Sequence, residues 1–344
     1  MCGYIELDEG KEQNMRSKKE VGLSVLRMLM CFEVVLCHFW NDTDYSIICA
    51  PFHFFQSYAV PVFMMLAFYL SGEKMLKCDC GFVRNRMCRL IVPHIAWTII
   101  YAGVLSVIGG IFGTDLLNWK DAIWQLFTGH SPRINPSMWY QIMLIVLTLV
   151  YTTIFYYMPR KGYVVVCMLL IFAYMLQYTG INYEVFFGMR YELPIGRLCE
   201  MIPFATVGVL GSRYGFKQGV DRRLFYLCAI LLVCAIVFDV EPLGFGYAGV
   251  RCLFVAMLMI VVALAVPSDK LPVAICERIH GITDFTLGIY CMHRLVGLIL
   301  VRVLEQLGIE TGTFLMCCYV YVICYMCCLA VSKIPISAAK LLVK

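Results

Sequence analysis

Apolar residues run along this chain in ten long blocks separated by short polar stretches. The blocks cover about residues 23–40, 54–72, 90–112, 138–158, 163–180, 194–211, 224–240, 246–266, 284–304 and 312–332. Each approaches the roughly 20 apolar residues that a helix needs to cross a bilayer. The pattern predicts an all-α, polytopic integral membrane protein of about ten transmembrane helices. Lys and Arg placement tests that reading, because cytoplasmic loops accumulate positive charge. With a cytoplasmic N-terminus, 21 of the 28 basic residues fall on the cytoplasmic side and four outside, with Arg197, Arg251 and Arg294 inside spans. Both termini are therefore expected to be cytoplasmic. The organisation predicted is a polar tail over 1–20, a ten-helix membrane domain over 21–332 and a short basic tail over 333–344.

The first block, LSVLRMLMCFEVVLCHFW (23–40), carries ionisable groups where they are costly. Arg27 and His38 have ten residues between them. Eleven steps of about 100° return a helix to within roughly 20°, so the two share one face about 16 Å apart along the axis. Glu33 points about 120–140° away. Such groups face the protein interior or a water-filled cavity. A snorkelling Arg with a hydrogen-bonded core His is the other reading these residues allow.

Composition sharpens the class. Hydrophobic residues make up 61% and charged residues 15%, with a mean hydropathy of +0.79 and a formal net charge of +5. That is far from a soluble domain. No stretch is long or polar enough for an appended soluble domain, and the first apolar run, without a small-residue cleavage site, is expected to be a retained anchor. The 19 cysteines are scattered through apolar spans without disulfide or zinc spacing, and read as small hydrophobes. No metal is expected.

The most basic loop runs KMLKCDCGFVRNRMCRLIVPHIAW (74–97). Arg86 and Arg89 are three apart, on one helical face at the cytoplasmic mouth of the third span. They are either ordinary positive-inside charge or an anchor for a phosphorylated cytosolic ligand, since guanidinium forks match phosphate. Outside, Trp119, Ile123, Trp124 and Phe127 can share a face, as in an interfacial helix or a lid. Arg197 and Glu200 are spaced for a local ion pair. His53 and His130 are loop histidines without a visible partner. Asp239, Glu241 and Glu33 are candidate partners for Arg251 and Arg294.

An Arg and a His ten residues apart in the first span, AVPVF in the second and RMCR before Pro93 in the third together resemble the acyltransferase-3 family. SMWYQIMLIVLTLVYTTIFYYMP resembles a family span that opens on a Trp-aromatic pair, here Trp139 and Tyr140, and closes at Pro159. FTLGIYCMHRL resembles its signature near the penultimate span, with Gly288, Ile289, Tyr290 and His293 matching. The similarity covers about residues 20–330. Departures are Ala67-Phe68 where a Ser-Gly pair is usual, Thr286-Leu287 for Ser-Tyr, and His94 at a common aromatic position, read as structural.

The resemblance implies a membrane O-acetyltransferase in a bacterial plasma membrane. Its acetyl-CoA donor is cytosolic, and its acceptor is a hydroxyl of a cell-surface polysaccharide or lipid-linked glycan. Relatives with an extracytoplasmic hydrolase-like domain complete transfer there; this chain is expected to act alone or with a separate partner. Arg27, Arg86 and Arg89 are the expected donor-binding residues. His38 is the expected general base and His293 its catalytic complement, with an acyl-His intermediate as the alternative mechanism. The expected partners are the bilayer and the glycan, with no nucleic acid. A proton-coupled transporter is the rival from another class, since ten spans with intramembrane Arg, His and Glu would also suit a carrier.

Overall fold

The protein is described by a computed structural model covering residues 21–39, 50–112, 119–129, 134–178, 195–214, 222–237, 250–266, 271–309, 311–335 and 337–343. All regular structure among these residues is helical. In chain order the helices are α1 (Val21–Phe39), α2 (Ala50–Leu76), α3 (Cys80–Phe112), α4 (Trp119–Thr128), α5 (Trp139–Tyr157), α6 (Gly162–Tyr178) and α7 (Ile195–Tyr214). They continue with α8 (Arg222–Val237), α9 (Val250–Leu264), α10 (Val273–Thr283), α11 (Thr286–Leu307), α12 (Thr313–Ser332) and α13 (Ser337–Val343). A 3₁₀ turn, Pro136–Met138, leads into α5. The stretch read as the N-terminal tail lies outside the described residues.

Each of the ten apolar blocks contains a helix, and among the described residues six segments are long and apolar enough to cross a membrane: Val21–Phe39, Phe54–Leu76, Cys80–Gly110, Pro136–Tyr157, Thr286–Leu307 and Thr313–Ser332. Three further apolar helices, Gly162–Leu176, Phe225–Cys234 and Val250–Leu264, are shorter over the described residues. α7 has the length but carries Arg197, Glu200 and Arg213. It is an inner helix, with Met201, Phe204, Ala205, Thr206 and Val209 buried. The outer helices do the reverse. On α6, Val164, Met168, Ile171, Phe172 and Met175 form an exposed apolar stripe at helical spacing, as do Leu315, Tyr319, Val322, Ile323 and Met326 on α12. In water such stripes would drive association; hydrocarbon is the solvent they suit.

Helix directions follow from residue pairs. α1 runs parallel to α11, because Arg27 meets Thr286 near the start of each while Phe39 reaches Gly297 further along both. α3 runs antiparallel to α5, with Arg86 on Thr148 and His94 beside Gln141. α9 is antiparallel to α1, its Ala263 and Val266 lying against Gly22. α6 is antiparallel to α7, with Arg213 over the Tyr163 ring and Phe155 of α5 against Tyr163. α2 and α7 lie parallel and share the most extensive helix interface of the molecule.

That interface depends on small residues. A Cβ at Gly208 would stand 2.4 Å from the Met65 carbonyl oxygen and 2.9 Å from Phe68 Cβ, and one at Gly72 would stand 2.7 Å from Ser212 Cβ. Close approach of this kind is how apolar helices gain packing energy in lipid. Gly208→Val is expected to destabilise the protein by about 1–3 kcal/mol through overpacking, read as a lower unfolding temperature in detergent. Gly103→Ala, where a Cβ meets nothing within 4 Å, is the control and should leave that temperature unchanged.

Residues 337–343, within the stretch read as a basic tail, form α13 and dock on the bundle. Val343 is buried, and its Cα lies 2.9 Å from where a Cβ on Gly288 would sit. Trp97 Nε1 donates to the Leu342 carbonyl at 3.1 Å. The glycine of the GIY stretch thus admits the C-terminal helix. The Arg197–Glu200 ion pair forms at 2.8 Å, with Arg197 also over the Trp139 ring. His94 is buried, its Nε2 on the Leu126 carbonyl at 3.1 Å. On α4, Ile123, Trp124 and Phe127 are exposed on one side, while Gln125 beneath donates to the Asn135 carbonyl at 2.9 Å.

Candidate active site

The face of α1 that carries Arg27 and His38 lies along α11. Near the start of both helices, Arg27 Nη2 donates to Thr286 Oγ1 at 3.0 Å, and that hydroxyl donates to the Thr283 carbonyl at 2.9 Å. Eleven residues further along α1, the His38 ring stacks on His293, with centroids 5.1 Å apart and planes 27° from parallel. Arg294 Nη1 lies 3.1 Å from His38 Nδ1. The sequence had placed Arg27 and His38 on one face. The structure adds that this face meets both His293 and its neighbour Arg294.

Hydrogen-bond chemistry assigns protons on both rings. His293 Nδ1 lies 2.7 Å from the Tyr290 carbonyl, which can only accept, so Nδ1 carries the proton and Nε2 the lone pair. That Nε2 is buried and has no hydrogen-bond partner among the described residues. A guanidinium can only donate, so His38 Nδ1 is the acceptor towards Arg294, and in the neutral imidazole the proton sits on Nε2.

The turn bearing His293 and Arg294 is held from outside α11. In a regular helix Leu295 N–H would bond the Cys291 carbonyl. The buried Tyr101 hydroxyl of α3 bonds the same two groups, accepting from Leu295 N at 3.1 Å and donating to the Cys291 carbonyl at 2.9 Å. Asn135 Nδ2 also donates to that carbonyl at 3.4 Å, and Gln141 Nε2 lies 3.4 Å from Cys291 Sγ. Tyr290 OH donates to the Ser137 carbonyl, and its ring meets Tyr140 edge-on at 5.8 Å. The aromatic pair opening α5 is thereby split: Tyr140 faces inward, while Trp139 faces Arg197.

The three arginines read as donor ligands do not behave alike. Arg86 is half-buried, its Nε on Thr148 Oγ1 at 3.1 Å and its guanidinium over the Phe68 ring. Its two terminal nitrogens make no hydrogen bond among the described residues. The Tyr140 hydroxyl lies within electrostatic reach of both Arg86 and Arg27. Arg89, one turn beyond Arg86, is exposed and does not join them. Glu33 is buried, with Oε2 lacking a hydrogen-bond partner, and pairs with no arginine among the described residues. Arg251 bonds the Tyr58 hydroxyl instead. The side chains of His53, His130, Asp239 and Glu241 lie outside the described residues. Among the described residues no disulfide joins two cysteines, and no group of three His, Cys, Asp or Glu could hold a metal.

Sequence reasoning missed Tyr101, Asn135 and Gln141, and left Arg294 unassigned. Arg294 carried a signal, as a charge within a span beside a motif histidine. The other three look like ordinary polar positions in the sequence.

The acyltransferase-3 family model, described as an acyltransferase domain, matches residues 20–332. The match spans nearly the whole chain and includes every residue of the site just described, so the protein belongs to this family. No curated protein and no solved structure matched the chain. Family and fold together define a helical membrane acyltransferase.

Proposed function

We propose that the protein moves an acetyl group from cytosolic acetyl-CoA to a hydroxyl of a cell-surface polysaccharide or lipid-linked glycan, in a bacterial plasma membrane. The observation that carries this reading is the single face of α1 that sets Arg27 at one end and His38, stacked on His293, at the other. Ten membrane crossings with both termini cytoplasmic are supported by the alternating helix directions and by the excess of Lys and Arg on one side. In that topology Arg27 and Arg86 belong to the cytoplasmic half and the histidine pair to the outer half.

Arg27 and Arg86 fit the phosphates of a coenzyme A thioester. Both guanidiniums lie within electrostatic reach of the Tyr140 hydroxyl, and Arg86 retains two terminal nitrogens for a bidentate contact. About 16 Å of helix separates Arg27 from His38, a span that an extended pantetheine arm helps to cover. His38 takes the proton of the acceptor hydroxyl as its oxygen forms a bond to the thioester carbon. The carbon–sulfur bond then breaks and the proton passes to the departing thiolate. The transporter reading is not favoured, because the family match concerns acyl transfer.

The test is acetyl-CoA binding and turnover by the purified protein in nanodiscs. Wild type should bind and slowly hydrolyse the donor; a folded protein that does neither overturns the reading. Arg86→Ala is expected to raise the KM for acetyl-CoA about tenfold, the scale of one charge-assisted contact, with the loss growing at higher salt. Arg89→Ala, at an exposed position, should change KM by much less. Equal effects from the two would count against Arg86 as the donor ligand.

A further inference from the structure

Among the described residues at the histidine pair, Arg294 carries a charge that the proposed chemistry leaves without a task. It is half-buried on α11, and its hydrogen bond among the described residues is the one from Nη1 to His38 Nδ1. No carboxylate pairs with it there, and Glu33, the buried acid of α1, makes no ion pair with it. A guanidinium inside a membrane domain without a counter-ion is costly, and such charges mark ligand sites. The donor phosphates do not supply an anion to it, because their arginines lie at the other end of the α1 face.

The same contact constrains the base. A neutral imidazole has one lone pair; on His38 it sits at Nδ1 and faces Arg294. While that contact lasts, His38 cannot accept a proton from a hydroxyl or from water.

We infer that Arg294 binds an anionic group, a carboxylate or a phosphate, on the acceptor glycan, and that by turning to this anion it releases the His38 lone pair for proton abstraction. This rests on the acetyl-transfer reading and names its acceptor class. With an acidic acceptor seated, the hydroxyl proton moves to His38 Nδ1, the new ester bond forms and the thioester carbon–sulfur bond breaks. The thiolate then receives the proton. Without it, the base stays engaged and the donor is protected from water.

The experiment uses the full-length protein in nanodiscs with acetyl-CoA and three versions of one oligosaccharide: neutral, carboxylate-bearing and phosphate-bearing. Wild type should acetylate one or both anionic versions about 10- to 100-fold faster than the neutral one, the range of a charge-assisted contact. The arm that responds distinguishes a uronic-type acceptor from a phosphorylated one. Arg294→Gln should lose that preference while raising acetyl-CoA hydrolysis several-fold, two changes of opposite sign that misfolding cannot produce. Arg294→Lys, which keeps the charge without the fork, should retain part of the preference. Equal rates on neutral and anionic acceptors by wild type would overturn the inference. So would a fall in hydrolysis in both variants with donor binding intact. Absence of donor binding in folded wild type would instead overturn the acetyl-transfer reading, and this inference with it.

Discussion

His38→Ala is expected to cut acyl transfer about 10²- to 10⁴-fold, the usual contribution of a positioned general base, while leaving acetyl-CoA binding nearly unchanged. The separation of effects follows from the layout of α1. Arg27, which bonds Thr286, lies three helical turns from His38, so truncating the imidazole does not touch the donor-binding end. It does remove the acceptor of the Arg294 bond and the stacking partner of His293. The measurement pairs initial rates of transfer with equilibrium binding of acetyl-CoA to the same preparation. Retention of full transfer by His38→Ala would show that the proton is taken elsewhere, and the partnerless Nε2 of His293 would be the next group to test. Joint loss of binding and transfer would point to a collapsed bundle instead.

What the sequence made legible divides along physical lines. The α1 face was readable because 3.6-residue periodicity fixes which residues within one helix share a side, whatever that helix packs against. The Arg197–Glu200 pair is local in the same sense. Arg86 and Arg89 show where locality ends. Three residues apart, they look equivalent in the sequence, yet one meets Thr148 on α5 and the other solvent. Arg294 opposite His38 is a contact between residues 256 apart. Tyr101 on Cys291 spans 190 positions, and Asn135 on the same carbonyl spans 156. No periodicity encodes such pairs, because they depend on which helices become neighbours. The docking of α13 was hidden for the same reason: Gly288 reads as a motif glycine until Val343 is seen against it.

Tyr101→Phe is the next largest effect expected, a fall of about 100-fold in kcat with the KM for acetyl-CoA unchanged, from displacing reacting groups by about 1 Å. The Tyr101 hydroxyl bonds both the Leu295 N–H and the Cys291 carbonyl, and His293 and Arg294 lie on the turn between them. Without the hydroxyl the turn loses its tie to α3, which frees both side chains to shift. Because the two backbone groups are four residues apart in a helix and can serve each other, no buried donor or acceptor is stranded, and the cost in stability should be small. The Tyr101 ring keeps its edge-on packing on Trp97 in the phenylalanine variant. Activity and stability are therefore expected to part company: kcat falls while the unfolding temperature in detergent holds within a few degrees. Unchanged kcat would mean that the turn keeps its geometry without the hydroxyl, and that Tyr101 serves packing alone. A matching loss of stability and activity would assign the residue to the fold. Only the split result makes the hydroxyl the element that sets His293 and Arg294 against His38.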